Sequence, residues 1–255
     1  MASECAISQV LGWFDRAERS IKPAKPFMVG PQTLTYGALI DRTGRLSTLF
    51  RELELRQDDR AVIATDDDIA AISIFLALLR SGITAVVLDP QANRPEIETL
   101  VRAADAKALF MDSAIIARGG VEASKRADAA LVQIQDDVAA STSSVARLGR
   151  GLRAERPPLG ELAYPAVLDI IAPTKDLPTD VSEAALAYIL FTSGTISRPK
   201  VGEITHRNLA AQMRTFGRHS GLNDRTRLLN MLPMHPTDGR SDGSRRRVDR
   251  PFYPS

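Results

Sequence analysis

The stretch from Ala61 to Leu88 constrains the fold most. Ala61-Val-Ile-Ala-Thr65 is a short apolar run of β type, Ile69 to Leu79 is apolar on most faces of a helix, and Ile83 to Leu88 is a second run without polar alternation. A strand lacking alternation is expected to be buried on both faces. Strand, helix and strand at this spacing make a βαβ unit, which implies a parallel sheet with a right-handed crossover. Ser81-Gly82 ends the helix and Asp89-Pro90 closes the second strand. Asp66-Asp67-Asp68 stands where carboxylates cap a helix and complement its dipole, with metal binding as the alternative for three adjacent acids. The fold class is therefore α/β, with flanking helices on parallel β-sheets.

The rest of the chain extends that pattern. Residues 3–20 put Ile7, Val10, Leu11, Phe14 and Ala17 on one helical face. Phe27-Met28-Val29 reads as extended between prolines. Leu39, Leu46, Leu49 and Phe50 mark an amphipathic helix running to about Leu55, with a capping threonine before it and Tyr36 as a core residue. A helix over 95–104, a strand over Lys107–Met111, and further elements near Ile115 and Leu131 follow. Pro157-Pro158 and Pro173 to Pro178 bracket a connector into a buried strand, Ala184 to Phe191. His206 to Phe216 reads as a helix, and Leu228 to Met234 as an apolar strand ending at His235.

Bulk properties narrow the function classes. With 255 residues, 44% hydrophobic and 25% charged, the composition is that of an ordinary globular domain. A net charge of +2 gives no global pull toward nucleic acid or a membrane surface. The single cysteine, Cys5, excludes an internal disulfide framework and suits a reducing compartment, so cytoplasm is the expected location. No apolar run approaches the roughly 20 residues that span a bilayer.

The chemistry concentrates in Thr192-Ser-Gly-Thr-Ile-Ser-Arg-Pro-Lys200, which follows the strand ending at Phe191. Small hydroxylated residues around Gly194 let the backbone approach an anion, their N–H and O–H groups can donate to phosphate oxygens, and Lys200 adds positive charge. On composition alone an ordinary polar turn is the leading reading. The spacing fits neither the P-loop nor Gly-x-Gly-x-x-Gly, because Gly194 stands alone.

Thr192 to Lys200, followed by Thr205-His206-Arg207-Asn208-Leu209, resembles the signature of the adenylate-forming superfamily over eighteen consecutive positions without a gap. That group includes acyl-CoA synthetases, fatty-acyl-AMP ligases, luciferases and the adenylation domains of peptide synthetases. The sequence departs from the pattern at Ile196-Ser197, where Thr-Gly is usual, and at Val201-Gly202, where Gly-Val is usual. Two more segments are similar: Leu34-Thr-Tyr36 before a helix, and Leu78 to Pro90, where Val87 replaces the usual proline.

The resemblance implies that residues 1–239 are the N-terminal part of the large ligase domain, without the C-terminal lid and its lysine. It implies ATP and Mg²⁺, a carboxylic acid of the fatty type as substrate, and CoA or an acyl-carrier protein as thiol acceptor. Thr192, Ser193, Gly194, Thr195 and Lys200 would hold nucleotide phosphates. His235, a turn histidine on spacing alone, would border the acyl pocket and the adenylate. Thr205 to Leu209 would support the phosphate loop, although a solvated helix start reads equally well for His206.

Residues 240–255 have no strand or helix pattern, and five arginines against two aspartates give them +3. A shifted reading frame near Pro236 is the expectation there, ahead of electrostatic binding to nucleic acid. The competing reading for the whole chain is a non-catalytic remnant with weak nucleotide binding.

Overall fold

A computed structural model describes residues 8–134, 162–164, 166–174, 180–192, 200–221 and 226. The βαβ unit is present: β3 (Arg60–Ala64), α3 (Asp68–Arg80) and β4 (Thr84–Val87), with β3 and β4 parallel in the register Arg60↔Thr84 to Ile63↔Val87. After β4 come α4 (Arg94–Ala104), β5 (Ala108–Asp112), α5 (Ser113–Ile115), a π-helical turn (Ile116–Gly120), α6 (Val121–Ala127) and β6 (Ala130–Ile134). Then follow β7 (Leu162–Tyr164), α7 (Ala166–Ile170), β8 (Leu186–Thr192), β9 (Lys200–Thr205) and α8 (His206–His219).

Among the described residues one sheet of seven strands runs in the order β7-β6-β5-β3-β4-β8-β9, and every neighbouring pair is parallel except β8 with β9. Ahead of the sheet lie α1 (Gln9–Ser20), the antiparallel pair β1 (Pro26–Val29) and β2 (Thr33–Thr35), and α2 (Tyr36–Glu52). No described helix is long and apolar enough to cross a membrane.

The absence of alternation in the inner strands has the expected cause. Successive side chains of a strand point to opposite faces. Ala61 and Ile63 of β3 join Leu46, Leu49 and Phe50 of α2, Ile74 and Leu78 of α3, and Val167 of α7 in one core cluster. Val62 and Ala64 of the same strand join Ile97 and Val101 of α4 and Ala123 of α6 in the other. A strand feeding two cores has no polar face to show.

Helix ends follow from local chemistry. Thr35 Oγ1 accepts from the Ala38 N–H at 3.2 Å at the start of α2. Asp67 Oδ1 accepts from the N–H groups of Ile69 and Ala70, at 2.8 and 3.0 Å, so the acidic run caps α3. Asp67→Ala is expected to cost about 1 kcal/mol and to lower Tm by roughly 2–4 °C in a thermal melt; an unchanged Tm would show that water replaces the cap. Gly82, at φ +68°, turns the chain out of α3, and a side chain there would meet Gln57 and Val181 at 3.0 Å.

Four expectations need correction. Helix α2 ends at Glu52, short of Leu55, because Glu54 takes a left-handed φ of 59°. The connector before β8 contains β7 and α7, packed into the core through Tyr164 and Val167. Strand β8 begins at Leu186, since Ala185 closes a turn onto the Ser182 carbonyl at 3.1 Å. Its burial also alternates: Ala187 and Ile189 are buried, while Leu186, Tyr188 and Leu190 are half-buried.

Candidate nucleotide site

Thr192 and Lys200 form the neck of a β-hairpin. Strands β8 and β9 pair antiparallel through Leu190↔Gly202 and Phe191↔Val201 to Thr192↔Lys200. The backbones of Thr192 and Lys200 thus face one another where the chain must reverse. Ser193, Gly194 and Thr195 lie outside the described residues, as do His235 and residues 240–255. Of the predicted phosphate-binding residues, the structure brings together Thr192 and Lys200 at the backbone level.

The sheet aims this hairpin. Strand β8 runs parallel to β4, in the register Ala85↔Tyr188 to Val87↔Leu190. The hairpin therefore leaves from the edge where the parallel strands end, the edge at which open α/β sheets bind ligands. Polar groups gather on the same edge: the Asp66 N–H donates to Asp112 Oδ2 at 2.8 Å, and Gln91 Nε2 donates to Asp66 Oδ2 at 3.1 Å. Thr84 Oγ1 donates to the Leu186 carbonyl at 3.2 Å and ties the start of β8 to β4. The Tyr188 ring packs edge-on against Phe75 at 5.7 Å, and burial pushes its phenol pKa up.

The root of the hairpin is fixed by α8. Thr205 Oγ1 accepts from the Asn208 N–H, and Asn208 Oδ1 accepts from the Thr205 N–H, both at 3.2 Å; this is a reciprocal capping box. The His206 N–H donates to the Ala185 carbonyl at 3.0 Å and the Arg207 N–H to the Glu183 carbonyl at 2.8 Å. Both strand roots are therefore joined at one point.

His206 itself is not solvated: it is fully buried, with Nδ1 2.8 Å from Ser8 Oγ. Burial holds its pKa below the ordinary histidine value. The contact spans 198 positions of sequence, and no local pattern announces Ser8 as its partner.

The profile of the AMP-binding enzyme family matches residues 15–237. The chain belongs to that family. Among relatives of this AMP-binding chain, the PKS-NRPS hybrid synthetase ATPKS of Aspergillus niger is 26% identical over 220 residues, covering 86% of this chain and 10% of that protein. Malpinin synthetase of Mortierella alpina is 29% identical over 203 residues, covering 77% of this chain and 2% of that protein. Among solved structures, ATP-bound MatB from Rhodopseudomonas palustris superposes with a TM-score of 0.64 at 21% identity, covering 82% of this chain and 37% of MatB. That likeness is one of fold. The chain spans a tenth or less of these two curated relatives and under two fifths of MatB.

Proposed function

We propose that this AMP-binding chain supplies the phosphate-holding part of an enzyme that activates a carboxylic acid with ATP. A carboxylate oxygen attacks the α-phosphorus, the bond to the β,γ-phosphates breaks, and pyrophosphate leaves with the bonding electron pair. The acyl-adenylate then passes its acyl group to a thiol and releases AMP. The observation that carries this reading is the hairpin neck, which sets Lys200 opposite Thr192 at the carboxyl edge of a parallel sheet inside the family match.

Phosphoryl chemistry of this kind depends on positioning and on stabilising charge that develops on phosphate oxygens. Lys200 and the hydroxyls of Thr192, Ser193 and Thr195, with the backbone at Gly194, would hold phosphates, and His235 would border the acyl pocket. Mg²⁺ would accompany the phosphates. Among the described residues no group of three or more His, Cys, Asp or Glu side chains could hold a metal ion. Relatives named as hybrid and peptide synthetases support a carrier-bound thiol as acceptor, with CoA and a fatty acid as the alternative acceptor and substrate class.

Two measurements test the reading. Equilibrium dialysis with labelled ATP is expected to show saturable binding; its absence at millimolar ATP overturns the proposal. Pyrophosphate–ATP exchange over a panel of carboxylic acids is then expected to rise only when an accepted acid is present. Binding without exchange selects the non-catalytic remnant.

A further inference from the structure

The Ser8–His206 contact holds a helix from one end of the chain on the element that closes the nucleotide hairpin. Ser8 immediately precedes α1, and its own N–H donates to the Val181 carbonyl at 2.8 Å. His206 is the first residue of α8 and follows β9 directly. About two turns further along α8, Arg214 donates to the Gln9 side chain. Helix α1 therefore lies along α8, anchored at its start by one fully buried imidazole.

That imidazole is poorly provided for as a cation. Its Nδ1 meets Ser8, while its Nε2 is buried with no hydrogen-bond partner among the described residues. The neutral ring can leave a bare lone pair on the buried Nε2. The protonated ring would bring a second N–H and a charge there, and burying either without a partner is costly. A positive charge at the first position of a helix is also opposed by the helix dipole.

Among the described residues, no carboxylate is paired with the His206 ring. Glu183, in the turn before β8, is paired with Arg207 at 3.5 Å, and Arg214 is engaged by Gln9. The charged residues of α1 itself, Asp15, Arg16, Glu18 and Arg19, begin about two turns beyond Ser8. Burial is what lowers the His206 pKa.

We propose that Ser8 and His206 form an acid-sensitive latch: protonation of His206 frees α1 from α8 and loosens the root of the β8–β9 hairpin. The docked helix holds His206 neutral. When α1 lifts, water reaches the ring and its affinity for protons returns to the ordinary value, near 6.5. The folded pKa lies below that value, so docking is at full strength above about pH 6.5 and weakens as pH falls toward the folded pKa. Within that interval each pH unit shifts the docked-to-free ratio about tenfold. The consequence for nucleotide rests on the proposed function, whereas the latch itself does not.

The chain carries its own probe, because its single tryptophan, Trp13, lies on α1. Trp13 emission of the 255-residue chain, titrated from pH 8 to pH 5 without nucleotide, is expected to shift to the red while far-UV ellipticity holds. Backbone-amide exchange in 9–20 and 200–205 should accelerate together after correction for intrinsic rates. His206→Gln should abolish the acid transition, and His219→Gln, at the exposed far end of α8, should leave it intact. If His206→Gln does not fold, Ser8→Ala serves instead: it should give the red-shifted emission and faster α1 exchange already at pH 8. Emission that stays flat to pH 5 overturns the latch, as does a shift that coincides with loss of ellipticity or an equal transition in His206→Gln. Since nucleotide is absent throughout, a failed ATP-binding experiment leaves this outcome untouched.

Discussion

Replacing Phe110 with alanine is expected to cost about 3–5 kcal/mol, the usual range for emptying an aromatic site in a closed core. Phe110 is fully buried in β5, opposite Ile63 on one side and Val132 on the other. Its ring meets Phe50 of α2 edge-on, with centroids 5.7 Å apart and planes at 73°. Truncation removes that contact and opens a void between sheet and helix that neither can fill without moving. A domain of this kind is stable by about 5–15 kcal/mol in total, so the loss is roughly a fifth or more of the whole. Denaturant unfolding of the two proteins gives the difference directly, with Val201→Ala as a control, since Val201 is 53% exposed on β9. A Phe110→Ala protein within about 1 kcal/mol of the parent would mean that α2 collapses onto the sheet and that the core is less rigid than its burial indicates.

The sequence displays those parts of the fold in which one short segment meets one requirement. The inner strands are apolar because two cores claim them, and α3 is bounded by a carboxylate that caps it and a glycine that releases it. Such features need no knowledge of distant partners. Strand β9 is different. Lys200-Val-Gly-Glu-Ile-Thr205 carries two charges and a glycine, because among the described residues it pairs on one side alone and exposes Val201 and Glu203. Strand β7 covers three residues, too few for any period to show. For the site, the proposed phosphate loop of the Ser/Thr/Gly run and Lys200 rests on resemblance to a signature, and the structure adds the antiparallel pairing of Thr192 with Lys200. The Thr205–Asn208 box was legible as a polar helix start. The burial of His206 was not, because its partner lies at the opposite end of the chain.

Lys200→Ala is expected to weaken ATP binding by about 10- to 100-fold, the equivalent of the roughly 1.5–3 kcal/mol typical of a hydrogen bond to a charged group. The argument starts from the backbone. Lys200 is the first residue of β9 and pairs with Thr192, the last of β8, so its Cα is held where the hairpin neck closes. Seven residues separate the two, and they include Ser193, Gly194 and Thr195. A cationic residue whose backbone starts at that neck would add charge to whatever the hydroxyls and backbone amides of the intervening residues donate. Lys200→Arg should retain part of the affinity, since charge persists while the point-like ammonium is exchanged for a planar fork. The effect should shrink with rising ionic strength, as a contact between a lysine and a polyphosphate does when screened. Titration calorimetry of the parent and both variants at two salt concentrations separates the outcomes. A salt-dependent loss in Lys200→Ala with partial recovery in Lys200→Arg places the lysine on the nucleotide phosphates. Equal affinity in all three would remove Lys200 from the site and leave the hairpin a purely structural closure of the sheet.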